Sequence, residues 1–232
     1  MRPRIEELQE NLALVHQRIA DSCASAGRTS GSVTLLPVTK TFPASDLALL
    51  AQLGCTDVGE SRDQEARDKR LQCSAPLRWH MIGQVQRKKV KQIVEWADVV
   101  ESVDRVELAS ALSAAATAAD RSIEVLIQIS LDPQPREGRG GVSLAALLPL
   151  ATHVQGLASL KLGGLMAVAP LGADPLVAFG ALNRAHKELL ELFPEATELS
   201  AGMSGDLEAA IACGATQVRI GGAILGNRPP LK

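Results

Sequence analysis

The sequence predicts a single α/β domain built as a (β/α)₈ barrel, a TIM barrel, and three observations carry that expectation. Short β-type runs alternate with helical patterns eight times along the chain. Two of those runs, Leu35-Leu36 and Val125-Leu126-Ile127, are continuously apolar, as parallel strands covered on both faces should be. A chain of 232 residues also has the right size for eight βα units in one barrel. An open doubly wound sheet is the alternative, weakened because no GxGxxG motif follows the first strand.

The elements follow in order. A long first helix is expected, extra to the eight units, because Ile5, Leu8, Leu12, Val15 and Ile19 recur at three- and four-residue spacing up to Gly27. Strands are then expected at 33–39, 57–59, 79–82, 99–102, 123–129, 162–168, 198–200 and 217–220. Helical patterns, each with one apolar and one polar face, cover 45–53, 62–71, 86–96, 105–119, 144–154, 175–192 and 206–213. Pro135-Arg136-Glu137-Gly138-Arg139-Gly140-Gly141 reads as a mobile connection after strand five. With no linker and no second composition regime, residues 1–232 are expected to form one domain.

Composition narrows the function. Lysine plus arginine number 24 against 26 acidic residues, a net charge of −2, so the broad positive field of a nucleic-acid binder is missing. Aromatics are 2% of residues, with no tyrosine, which removes base-stacking platforms and any catalytic tyrosine. Cys23, Cys55, Cys73 and Cys213 lie far apart with no CxxC pair, so neither a zinc site nor a disulfide framework is suggested. The N-terminus runs directly into an amphipathic pattern without a secretory signal. The longest uncharged segment, 140–160, contains Pro149, Thr152, His153 and Gln155 and does not read as a membrane span. A cytoplasmic protein is expected, with no metal, no nucleic acid and no membrane partner.

In a barrel, chemistry sits at the C-terminal ends of the strands. The first strand ends in Val38-Thr39-Lys40; a lysine leaving an apolar strand suits Schiff-base chemistry with an aldehyde, or is simply a surface lysine. The seventh and eighth strands lead into Gly202-Met203-Ser204-Gly205-Asp206 and Gly221-Gly222. There, backbone N–H groups and the Ser204 hydroxyl could cradle a phosphate, or serve only as a helix cap and a tight turn. Arg219 alternates with Val218 and Ile220 and so faces the barrel axis, either to touch a ligand or to pair with Glu60 or another strand-end carboxylate. Gly59-Glu60-Ser61-Arg62 and Trp79-His80-Met81-Ile82-Gly83 could line the mouth, although His80 could equally be a satisfied core residue. The Arg87-Lys88-Lys89-Val90-Lys91 run reads as a solvated helix face.

In this order, Val38-Thr39-Lys40-Thr41, Gly59-Glu60-Ser61, Trp79-His80-Met81-Ile82-Gly83-Gln84-Val85-Gln86, Ser102-Val103-Asp104, Gly164-Leu165-Met166, Gly202-Met203-Ser204-Gly205-Asp206 and Val218-Arg219-Ile220-Gly221 resemble the pyridoxal phosphate homeostasis proteins. The resemblance spans essentially the whole chain. It implies a barrel like the N-terminal domain of alanine racemase, holding pyridoxal 5′-phosphate (PLP) as a lysine aldimine. Lys40 would be the Schiff-base lysine, and Ser204, Gly221 and Gly222 the phosphate cradle. Arg219 would face the pyridine nitrogen, with Ser61, His80 and Met166 completing the cofactor-binding set. It further implies a monomer that buffers PLP and delivers it to apo PLP-dependent enzymes, without robust catalysis and with no catalytic residues. A PLP-dependent racemase or lyase of narrow scope is the alternative, disfavoured because the second acid/base of a racemase would be a tyrosine from an extra domain. A lysine Schiff-base aldolase or a sugar-phosphate isomerase on the same barrel would need no PLP.

The chain departs from the family pattern at five places. Ser61 stands where asparagine is usual, Gly222 where a hydroxyl residue is usual, Gln84 for histidine, Lys88 for asparagine and Ala201 for methionine. Phosphate binding is then either weaker or rests more on backbone N–H groups.

Overall fold

The computed structural model describes residues 3–134 and 139–226. Eight strands form one all-parallel sheet: β1 (Thr34–Pro37), β2 (Asp57–Glu60), β3 (Arg78–Met81), β4 (Val99–Val103), β5 (Ile123–Ile129), β6 (Leu160–Ala167), β7 (Glu198–Ser200) and β8 (Gln217–Ile220). Their order is β1-β8-β7-β6-β5-β4-β3-β2. A parallel bridge between Val38 and Gly59, with the Thr39 N–H donating to Gly59 O at 3.0 Å, joins the two ends of that order. The sheet is therefore a barrel and not an open doubly wound sheet.

Helix α1 (Arg4–Ser25) precedes the barrel, and α2 (Ala44–Gln52), α3 (Asp63–Gln72), α4 (Val90–Trp96), α5 (Val106–Ala118), α6 (Leu144–Gln155), α7 (Pro175–Leu192) and α8 (Leu207–Ala212) alternate with the strands. The expected bounds of β5, β7, β8 and α7 coincide with those observed. The 86–96 pattern divides, with a 3₁₀ turn at Arg87–Lys89 leading into α4, and Arg87 and Lys88 are exposed as a solvated face requires. The fold adds a short α9 (Gly222–Leu225) after β8. In the expected loop after β5, Pro135 to Gly138 lie outside the described residues; from Gly141 the chain returns to pair Val142 with Ile129.

Packing follows the patterns that predicted it. Leu8, Leu12, Val15, Ile19 and Cys23, one face of α1, are buried against Leu207, Ile211, Val218, Ile220, Ile224 and Leu225, which fixes α1 over β8, α8 and α9. Each large side chain buried there contributes roughly 1.5–3 kcal/mol. The larger core lies between the strands and α2 to α7, where Trp79 and Trp96 meet edge to face with centroids 6.3 Å apart. Gly164 in β6 has φ +150°, and a Cβ there would lie 1.9 Å from Glu198 O, so the β6–β7 contact requires glycine. Among the described residues, the four cysteines are free and no helix is long and apolar enough to cross a membrane.

Candidate functional site

The barrel brings together the ends of β1 and β8, Pro37 and Ile220, 183 residues apart in the chain. Pro37 is in register with Ile220, and the Val38 N–H donates to Ile220 O at 2.8 Å. One residue further, a Cβ on Gly221 would stand 3.2 Å from Val38 O. Lys40 thus leaves β1, half-buried, beside the turn of Gly221 and Gly222. On the other side of β8, the Arg219 N–H donates to Gly202 O at 2.9 Å, which ties the loop carrying Ser204 to the same rim. A Cβ on Gly222 or Gly205 would meet no atom within 4 Å, so the backbone of both loops is approachable.

Ser61 follows β2, and its backbone presses on Gly83 after β3, where a Cβ would be 2.3 Å from Ser61 O. Met166 in β6 is 2% exposed and lines a cleft of about 210 Å³ at the mouth together with Ile82, Gln84, Gln128, Ser130 and Arg139. Arg139 spans that cleft, pairing with Asp132 at 2.7 Å and donating to Val168 O and Ala169 O, both at 3.0 Å.

Beneath the mouth, a charged chain crosses the barrel interior. Arg219, 5% exposed, donates from Nη2 to Ala167 O at 2.8 Å and from Nη1 to Ser200 Oγ at 2.7 Å. The Ser200 hydroxyl donates to Glu101 Oε2 at 2.7 Å, and Gln217 Nε2 donates to Glu101 Oε1 at 2.8 Å. Glu101, fully buried, also faces His80 Nδ1 at 2.7 Å, while His80 Nε2 faces Asp57 Oδ1 at 3.0 Å. Burial opposes the charged imidazole, but hydrogen bonds and charges from Asp57 and Glu101 outweigh it and raise its pKa to about 9. Burial likewise works against the Glu101 carboxylate, and His80, Arg219 and Ser200 overcome it, so its pKa lies below the usual carboxylate range. Two cations and two carboxylates alternate along this chain, which satisfies the requirement that buried charges be paired.

The structure places Lys40, Ser61, Met166, Ser204, Gly221 and Gly222 around the mouth and Arg219 directly below it. It does not bring His80 there. Both ring nitrogens face carboxylates, and one of those, Asp57, begins β2 at the opposite end of the barrel, so direct ligand contact gives way to an interior ion pair. Of the alternatives for Arg219, a pairing with Glu60 is not what the structure shows: Arg219 reaches Glu101 through Ser200, and Glu60 pairs with Lys69 at 2.7 Å. Sequence reasoning missed Glu101, Ser200, Gln217 and Lys69. A glutamate inside the apolar run Val99-Val100-Glu101-Ser102-Val103 was the available signal for the first.

The alanine racemase N-terminal domain family matches residues 7–229. The pyridoxal phosphate homeostasis protein of Mycobacterium leprae is 41% identical, over 96% of this chain and 93% of its own. That of Corynebacterium glutamicum is 45% identical over 91% of this chain and 98% of its own. This chain belongs to the pyridoxal phosphate homeostasis family. A solved structure, that of PipY of Synechococcus elongatus with PLP bound, superposes with a TM-score of 0.78 at 33% identity, covering 90% of this chain and 100% of PipY. The family match extends from α1 past α9, so the homeostasis barrel includes every element of the mouth described above.

Proposed function

We propose that this chain is a PLP-binding homeostasis protein that holds the cofactor on Lys40 and releases it to apo PLP-dependent enzymes, without robust catalysis of its own. The observation that carries this reading is the juxtaposition of Lys40 with the open glycine turn after β8, above a buried Arg219. The residues fit the group. The cradle space at Gly222 and Gly205 suits a phosphate held mainly by backbone N–H groups and Ser204 Oγ, and the guanidinium below suits a ring nitrogen acceptor. PLP binding in the homologous PipY supports the same assignment. When bound, PLP supplies an aldehyde carbon that a lysine amine can hold covalently with loss of water.

Each residue then has a task. Lys40 provides the amine. Ser61, Met166 and the Gly221-Gly222 turn would bound the space around it. Arg219, held by Ala167 O and Ser200, would present its guanidinium to the ring nitrogen, and a cation there would disfavour a proton on that nitrogen and weaken the ring as an electron sink. His80 acts one step removed, by holding the Glu101 carboxylate that faces Ser200 and the arginine. A chain without tyrosine also lacks the phenol that would serve as a racemase's second acid/base. We further place the protein in the cytoplasm as a monomer, with residues 1–232 acting as one domain.

The test is borohydride reduction after PLP addition, followed by peptide mass mapping. The pyridoxyl mass is expected on the Lys40 peptide in the wild type and nowhere in Lys40→Ala. Covalently trapped PLP at comparable yield in Lys40→Ala overturns the assignment.

A further inference from the structure

A second lysine holds the backbone just before Lys40, and a glutamate paired with it holds the backbone just after. Lys69, on α3, is 5% exposed. Its ammonium donates to Thr39 O at 2.8 Å, to Glu60 Oε1 at 2.7 Å and to Glu65 Oε1 at 2.6 Å. Three acceptors match the three N–H bonds of a lysine, so the group is saturated as a cation and is unsuited to act as a nucleophile. The same two carboxylates reach the chain around Lys40. Glu60 Oε1 accepts from Thr39 Oγ1 at 2.5 Å, and Glu65 Oε1 accepts from the Thr41 N–H. Thr39, fully buried, is thereby held at both its carbonyl and its hydroxyl.

Thr41 shows what this grip achieves. Its φ is +72°, a left-handed conformation that a β-branched residue adopts only at a cost of order 1–3 kcal/mol. The bond from its N–H to Glu65 contributes to holding that turn, and the turn fixes the direction in which the chain leaves Lys40. Glu60 is the costly member of the arrangement. It is fully buried, its Oε2 has no hydrogen-bond partner, and burial raises its pKa against the opposing pull of Lys69 and Thr39.

We propose that Lys69 and Glu65 are positioning residues for Lys40: through Thr39 O and the Thr41 N–H they set the backbone turn that aims the Lys40 amine, and so govern the rate of aldehyde capture. This rests on the reading of Lys40 as the capturing lysine. The predicted consequence is specific to the amine's approach and independent of the phosphate cradle, so pyridoxal lacking the phosphate should report it as PLP does.

The experiment compares wild type, Glu65→Ala and Glu65→Gln in the full chain. Covalent capture of PLP, and separately of pyridoxal, is followed by the absorbance of the lysine adduct, and thermal unfolding is measured alongside. Glu65→Ala is expected to slow capture of both aldehydes by about tenfold, the scale of loss from a modest misalignment of reacting groups. Glu65→Gln, which keeps an oxygen for the Thr41 N–H, should recover most of that rate. Capture by folded Glu65→Ala within about twofold of wild type, or a lowered thermal midpoint with an unchanged rate, overturns the proposal. If Glu65→Ala does not fold, Glu65→Leu and Lys69→Met, each of which removes the bond to the backbone beside Lys40, decide it: both must capture more slowly than Glu65→Gln, and equal rates overturn it. Wild type failing to place the adduct on Lys40 is a different result, which removes the Lys40 reading itself before any variant is compared.

Discussion

Raising the pH across the titration of His80 should destabilise the barrel from its interior. In the folded chain the imidazole titrates near 9, against an ordinary value of 6.5, because Asp57 and Glu101 face its two nitrogens. A group whose pKa is raised by folding stabilises the fold fully below its unfolded value and loses that contribution as pH rises through its folded value. The window is therefore 6.5 to about 9. Across it the fold should lose about 3 kcal/mol, at roughly 1.4 kcal/mol per pH unit, with little change below. The neighbours do not titrate in this window. Asp57 and Glu101 have lowered pKa values, and the Cys55 thiol, raised from 9.0 to about 11 by burial and by Asp57, adds its own loss of stability only above that window. The assay is urea unfolding of wild type and His80→Gln at intervals from about pH 6 to about pH 9.5. His80→Gln should be the less stable by about 3 kcal/mol at the acid end, and the gap should narrow as pH rises. A flat wild-type profile, or parallel profiles for the two proteins, would refute the buried imidazolium.

The arginine beneath the mouth should respond to its counter-charge. Arg219→Glu alone sets a second buried carboxylate near Glu101 and should unfold at lower urea concentration. Arg219→Glu combined with Glu101→Gln removes that repulsion, and keto acid release from bound amino acids should then rise above the wild-type level if the arginine restrains the ring's chemistry. Two glycines should separate folding from binding. Gly164→Ala should cost about 3 kcal/mol or more in denaturant unfolding, because its Cβ would collide with Glu198 O at a φ of +150°. Gly222→Ala, with open space at its Cβ, should change stability by less than about 0.5 kcal/mol. It should still raise the concentration of PLP needed for saturation, measured by adduct absorbance.

Much of this protein is legible in its sequence because local rules dominate there. The apolar periodicity of Leu8, Leu12, Val15 and Ile19 is itself the buried face of α1, and the continuous run of Val125, Leu126 and Ile127 marks a strand covered on both sides. Lys40, Ser204 and Gly221 stand at strand ends, and a strand end is a property of position along the chain, readable without knowing what lies beside it. Arg219 was readable as inward-facing from alternation with Val218 and Ile220. Its partner was not, since Glu101 lies more than a hundred residues earlier and the order of strands around the barrel decides which interior groups meet. The same limit applied to His80. Its place in the motif suggested the mouth, whereas Asp57 and Glu101, from the neighbouring strands, draw it into the interior.

The sequence by itself determined the barrel, the extra helix, the lysine and the glycine turns, because periodicity, strand termination and backbone freedom are properties of short stretches of chain. Only the tertiary structure decided how charge is balanced inside. The Asp57–His80–Glu101 chain joins residues that meet only when β2, β3 and β4 pair, and Glu60 meets the Lys69–Glu65 pair of α3 only when that helix packs back on the sheet; burial then makes each charge depend on the one beside it.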